Sequence, residues 1–330
     1  MALIAHSSLP AFASLASEGL TVVTPDEAAS SGRPDLWVGL LNLMPDAALR
    51  ATDRQFMRLL AAASDSWDIW VRPFTVAASG RGAEARSHIA DHYSSFAEIE
   101  QSGIDALIVT GANPAQELLE REAFWEGLGE VLDWAQTHTR SVLCSCLATH
   151  AVLERFKGLK RTRLPEKRWG VYQHGIVAAH PLLEGLTGPV AAPHSHWYDV
   201  TRGDMEAIGL TVLIESDEAG VHMAVGDDDF YVFFQGHPEY DPISLLKEYR
   251  RELGRYYLGE RSDYPPAPEH YFDDAGLAMV EEYHSLLDAA KTAATVPPGL
   301  DETRVLPRHM PDWASPGKVI YRNWLSGLVP

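Results

Sequence analysis

Apolar residues along the chain fall into short continuous runs and longer stripes at helical spacing, and the two kinds of segment alternate through the first half. Residues 36–43 (LWVGLLNL) form a run closed by Met44-Pro45, which reads as a buried strand ending at a loop. Residues 52–63 then carry Phe56, Leu59 and Leu60 on one helical face after a Thr-Asp start. Residues 67–76 return to β-rich alternation, 81–101 read as helix or loop, and 104–109 are another buried strand closed by Thr110-Gly111-Ala112-Asn113-Pro114. Phe124, Leu128, Val131, Leu132 and Ala135 mark a helix within 120–137, followed by a strand at 141–144 and a helix at 148–156. This rhythm predicts an α/β fold, a mostly parallel sheet flanked by helices on both faces.

The second half is more mixed, with strands expected at 189–192, 211–215, 221–226 and 230–235 and a helix at 242–258. Residues 259–330 read as a C-terminal extension, Pro- and Asp-rich over 259–312 with one helical stripe at 276–290, and with an apolar tail at 318–325 that docks as strand or helix. Residues 1–35, rich in Ala, Ser, Pro and Gly, read as an irregular N-terminal arm, leaving 36–330 as one domain.

Composition narrows the function. With 46% hydrophobic and 22% charged residues in 330 positions, the chain is an ordinary globular one. A formal charge of −19 repels phosphodiester backbones and anionic membrane surfaces, so neither nucleic acid nor membrane is expected as a partner. No apolar run reaches the roughly 20 residues of a membrane span, and the first ten residues lack a secretory pattern, so a cytoplasmic protein is expected. The two cysteines, Cys144 and Cys146, are too close for an unstrained disulfide and fit a reducing compartment. Fourteen histidines are scattered, and although His194 and His196 are close, none has the spacing of a closed zinc site; no metal is expected.

Cys146 follows a strand and precedes a helix, so its sulfur belongs over the carboxyl edge of the sheet, where open α/β sheets bind ligands. Backbone N–H groups at the helix start favour a thiolate and stabilise an oxyanion; Leu147 and Ala112 are the backbone positions expected there. Gly236-His237-Pro238-Glu239 ends another apolar strand, and its carboxylate can fix the imidazole while the far ring nitrogen takes a thiol proton. Taken singly, Cys146 reads equally well as a small buried hydrophobe and His237 as a turn histidine. The pair of strand ends in one α/β chain favours a Cys–His–Glu triad.

LNLMP at 41–45, Gln55-Phe56, LIVTGA at 107–112, Cys146, Glu166-Lys167, Gly170-Val171-Tyr172, APHS at 192–195, GHPEYD at 236–241, Arg251 and NWL at 323–325 appear in the order seen in the homoserine O-acyltransferases of methionine biosynthesis, which this chain resembles from about residue 36 onward. The resemblance implies a class I glutamine-amidotransferase-like sheet of the flavodoxin-like, three-layer kind, with an acyl-CoA as co-substrate, no permanently bound cofactor, and a homodimer. It implies that Cys146 carries the acyl group as a thioester, that His237 is the general base with Glu239 as its partner, and that Lys167, Ser195 and Arg251 bind substrate. Homoserine brings a carboxylate and an ammonium, which the fork of Arg251 and the donors of Ser195 and Lys167 suit; a surface ion pair and a solvated lysine are the plainer readings of the two basic residues.

The chain departs from the family pattern at Asp46-Ala47, at His196 where arginine is usual, and at Asn113-Pro114-Ala115. The resemblance ties position 115 to acyl choice, and the small side chain of Ala115 leaves room for succinyl, which is favoured over acetyl. Acetyl transfer, serine as acceptor, glutamine hydrolysis on the same fold, and a non-catalytic binding protein are the alternatives. The basic stretch at 157–168 reads equally as a CoA-phosphate attractor and as a solvated face.

Overall fold

The computed structural model describes residues 2–64, 67–76, 80–226 and 228–328. The chain runs β1 (Ala2–Ile4), α1 (Pro10–Ser17), β2 (Val22–Val23), α2 (Pro25–Ala29), β3 (Asp35–Leu41), α3 (Asp46–Ala63) and β4 (Asp68–Phe74). It continues α4 (Ala83–His92), α5 (Phe96–Ser102), β5 (Ala106–Val109), α6 (Trp125–His138), β6 (Ser141–Ser145), α7 (Leu147–Lys157), β7 (Thr162–Ile176) and β8 (Val190–Asp199). After α8 (Arg202–Ala207) come β9 (Thr211–Ser216), β10 (Gly220–Gly226) and β11 (Tyr231–Phe234), then α9 (Ser244–Tyr257), α10 (Asp274–Ala293), α11 (Glu302–Val305) and α12 (Ala314–Gly327).

The strands form one sheet in the order β2-β1-β4-β3-β5-β6-β11-β10-β9-β7-β8. Pairing is parallel from β2 to β11 and antiparallel from β11 onward. Strand side chains point alternately to the two faces, and each central strand divides accordingly. Val38 and Leu40 of β3, Ile108 of β5, Leu143 of β6 and Phe234 of β11 pack in one cluster with Phe12 of α1, Phe56 of α3 and Trp324 of α12. Their neighbours Leu41, Leu107, Val142 and Phe233 pack on the opposite face with Leu128 and Leu132 of α6 and Ala148 and Val152 of α7. The expected mostly parallel sheet between two helical layers is what these faces build. A third cluster joins Trp169 and Val171 of β7 to Leu246 and Tyr249 of α9, Leu287 of α10 and Trp313. No helix among the described residues is long and apolar enough to cross a membrane.

The described part of residues 1–35 is not an irregular arm. β1 inserts between β2 and β4, with Leu3 and Ile4 fully buried, and α1 buries Phe12 and Leu15 against α3. Small residues around few large apolar ones hide this pattern, while Pro10 in the first helical turn and the reciprocal Thr24–Glu27 cap of α2 set helix starts. Part of the basic stretch is strand: residues 162–168 enter β7, which pairs antiparallel with β8 across a register shift between Arg163 and Arg168. The tail at 318–325 lies in α12 and is helical.

Candidate active site

β6 and β11 are adjacent and parallel with Ser145 opposite Phe234, so the residues that follow each strand emerge side by side at the carboxyl edge. Cys146 sits at the corner between β6 and α7 with φ 51° and ψ −109°, a conformation that costs a side-chain-bearing residue about 1–3 kcal/mol. The corner is held because the Cys146 N–H donates to Phe234 O at 2.7 Å and the Thr149 hydroxyl donates to the same oxygen at 3.1 Å. Leu147 is the first residue of α7, so its N–H is one of those without an intrahelical acceptor. Cys144, one strand position before Ser145, is fully buried in the core, and burial pushes its thiol up; it is a packing residue.

Beyond β11 the His237 N–H donates to Pro193 O at 2.8 Å, which ties the turn to β8. His237 Nδ1 lies 2.8 Å from Glu239 Oε1, its ring stacks on Tyr240 at 4.2 Å between centroids, and it opens on the same cavity as Cys146. Burial works to lower the imidazole's pKa, but the Glu239 charge and the neighbouring Cys146 outweigh it and raise the value to about 10. The side chain of Gln235 approaches from the same strand end, Nε2 standing 3.9 Å from Cys146 Sγ. Gly236 is required between them, since a Cβ there would meet His194 Nε2 and His222 Nδ1 at 2.7 Å each.

These residues open on a cavity of about 1550 Å³. Cys146, His237, Lys167, Ser195, Arg251, Ala115, Ala112 and Leu147 all line it; Glu239 stands behind His237. One residue absent from the sequence reading organises the far wall. Glu248 accepts from Ser195 at 2.5 Å and Lys167 at 3.2 Å on Oε2 and from the Tyr240 hydroxyl at 2.9 Å on Oε1. Burial alone would raise this carboxyl, yet Lys167 and the two hydroxyls hold it below its ordinary value. Its signal in the sequence is its place three residues before Arg251, which puts both on one side of α9. Arg251 is itself half-exposed, with Nε 3.3 Å from Glu252.

His196, where the family pattern has arginine, lines the cavity, whereas His194 is wholly buried behind it. They belong to a row in which His196 Nδ1 is 2.7 Å from Tyr198 O, His196 Nε2 is 3.1 Å from His194 Nδ1, His194 Nε2 is 3.1 Å from His174 Nε2, and His174 Nδ1 is 3.2 Å from Val190 O. Burial lowers all three pKa values, His174 to about 4 and His196 to about 3. Among the described residues one group has ligand atoms close enough to share a metal ion, Glu218, Glu269 and His270; all three are exposed, and Glu218 already pairs with His270 at 2.7 Å.

Residues 2–329 match the family model described as homoserine O-succinyltransferase. A protein of that name from Methylococcus capsulatus is 48% identical over 99% of this chain and 93% of its own length. One from Methylobacter tundripaludum is 46% identical over 99% of this chain and 93% of its own. Among solved structures, a glutamine amidotransferase from Thermotoga maritima aligns with 89% of this chain and 97% of its own at 13% identity and a TM-score of 0.42, a likeness too loose to decide anything. With the family model and both relatives spanning nearly every residue, from β1 through the cavity-lining segments to α12, the chain is an acyltransferase belonging to the homoserine O-succinyltransferase family.

Proposed function

We propose that the enzyme transfers a succinyl group from succinyl-CoA to the hydroxyl of L-homoserine through a thioester on Cys146. The observation that carries this reading is that Cys146 and His237, the latter hydrogen-bonded to Glu239, open together on the large cavity from adjacent strand ends. An imidazole raised to about 10 is protonated at rest, which stabilises a thiolate beside it. That sulfur attacks the thioester carbonyl, the carbon–sulfur bond to CoA breaks, and CoA leaves with the proton from His237. The Leu147 and Ala112 N–H groups face the oxyanion formed on the way.

The second half-reaction needs the opposite protonation state, and the site supplies it. Once the sulfur is acylated, the part of the His237 rise that came from Cys146 is gone, so the imidazole, having given its proton to CoA, stays neutral more easily and is free to accept the homoserine hydroxyl proton. The hydroxyl oxygen attacks the acyl carbon, the bond to Cys146 breaks, and the sulfur regains the resting proton-sharing arrangement. Arg251 grips the amino acid carboxylate, with Ser195 and Lys167 as further donors, and Glu248 accepts from the ammonium. The small side chain of Ala115 leaves space for a four-carbon acyl group. The scheme calls for no resident cofactor.

The test is intact-protein mass spectrometry after mixing with succinyl-CoA alone. A succinyl adduct should form on the peptide holding Cys146 and be discharged by homoserine. Near-normal transfer by Cys146→Ala would replace this scheme with direct attack by the acceptor.

A further inference from the structure

The cavity holds an arginine that neither the triad nor the amino acid site uses. Arg161 stands just before β7, partly buried, with its guanidinium 3.8 Å from the centroid of the Tyr198 ring. Nη2 donates to Glu117 O at 3.3 Å, on the loop that also carries Ala115. Among the described residues no carboxylate pairs with it. Glu122 and Glu154 act on it only at longer range, Glu122 accepting from the Gln116 N–H at 2.6 Å and Glu154 lying 3.6 Å from Lys160. Desolvation lowers its pKa, as expected of a guanidinium taken from water without a salt bridge in return.

The other cations of the cavity are differently placed. Lys167 is paired with Glu248, while Arg251, Arg255 and Arg261 all reach Glu252. Arg163, over the ring of Trp197, and Lys247 are exposed. Arg161, by contrast, lines the same cavity as Cys146, and its charge adds to burial in lowering the pKa of His150, one turn further along α7. Arg161 is therefore a cation without a paired carboxylate, on the cavity of the nucleophile and tied to the loop beside the acyl position.

We propose that Arg161 determines donor specificity by receiving the free carboxylate of a dicarboxylic acyl group while that group is passed to Cys146, an inference that rests on the thioester reading above. In a succinyl group the carboxylate carbon lies about 4 Å beyond the thioester carbon in an extended chain. A guanidinium with one nitrogen committed to Glu117 O keeps a second edge for a two-point grip on a carboxylate. A donor that ends in a methyl group leaves the arginine desolvated and unpaired, and that asymmetry is a source of discrimination.

A CoA phosphate is the other anion that would suit a guanidinium, and donors sharing one CoA separate the two. Acylation of Cys146 is followed by thiol release with succinyl-CoA and with butanoyl-CoA, which has the same chain length and no carboxylate. Arg161→Gln is expected to lower the succinyl-to-butanoyl ratio of kcat/KM by about 10- to 100-fold, the range of a lost charge-assisted bond. Arg161→Lys, keeping the charge without the fork, should fall between. A ratio within about threefold of wild type in Arg161→Gln, whatever the absolute rates, overturns the assignment and leaves a phosphate or folding role. Because the ratio cancels partial misfolding, a damaged variant still reports. A wild-type protein acylated by neither donor would remove the thioester reading itself, a result visible before any variant is made.

Discussion

Replacing Glu239 by glutamine keeps the shape of the side chain and removes its charge. In the native site that charge, with Cys146 beside the ring, lifts His237 from 6.5 to about 10 against the pull of burial. Each pKa unit is about 1.4 kcal/mol, and after leaving Cys146 its share, Glu239→Gln should cost the imidazolium roughly 2–4 kcal/mol. Burial then gains weight, and a fall of roughly 1.5–3 pKa units brings His237 down toward neutral pH, so the imidazolium is no longer firmly held there. The amide can also turn its NH₂ toward Nδ1, which forces the ring proton onto the nitrogen that should serve Cys146. In the proposed scheme both effects act on formation of the acyl-enzyme, so single-turnover acylation by succinyl-CoA should slow by about 30- to 1000-fold. Quenched-flow mass spectrometry gives that rate, and NMR titration of the His237 ring gives the accompanying shift. An acylation rate within threefold of wild type, with the ring still titrating near its native value, would refute the reasoning.

The corner at Cys146 should trade stability for chemistry: Cys146→Gly and Cys146→Ala should both be inactive, yet the glycine variant should be the more stable by about 1–2 kcal/mol in urea unfolding. Equal stabilities would show that the positive φ is not strained. The pH dependence of stability has two limbs. The buried His150, His174, His194, His196 and His222 have pKa values lowered by burial, so their contribution is intact above pH 6.5 and lost as pH falls below it, each by up to about 1.4 kcal/mol per pH unit. His237, raised to about 10, contributes fully below 6.5 and loses its share as pH climbs through its folded value. Urea midpoints measured across pH 4.5–10 should therefore decline on both sides, and in Glu239→Gln the alkaline decline should flatten; a flat acid limb would contradict the buried rows. Gly170→Ala would place a Cβ 2.2 Å from Glu269 O, where Val171 N–H and the Trp169 carbonyl pair with residue 269. A loss of about 2–4 kcal/mol is expected by thermal unfolding, and an unchanged melting point would show that the segment yields.

The parallel half of the sheet was legible because β3, β5, β6 and β11 are buried on both faces and therefore read as continuous apolar runs. The N-terminal elements were not, because β1 and β2 are only a few residues long and α1 is largely alanine and serine around Phe12 and Leu15. β7 was hidden by its charges: its first residues carry Arg163, which faces water, and Lys167, which turns to Glu248 in the cavity, and its pairing is dictated by β8, far along the sequence. The positions of Cys146, His237 and Glu239 followed from strand ends, a local property. Glu248 and Arg161 were missed for a shared reason. A charged residue on a helix or at a strand start looks solvated until the fold brings another segment over it, as β8 brings Ser195 to Glu248 and Tyr198 to Arg161.

The row from Tyr198 O through His196, His194 and His174 to Val190 O obeys a simple count. Four links join three rings and two carbonyls, and carbonyls donate nothing, so a complete set of bonds needs four hydrogens. Three neutral imidazoles own three. While the row is neutral, one of its four gaps must always hold two lone pairs facing each other, and the position of that gap specifies every tautomer on either side of it.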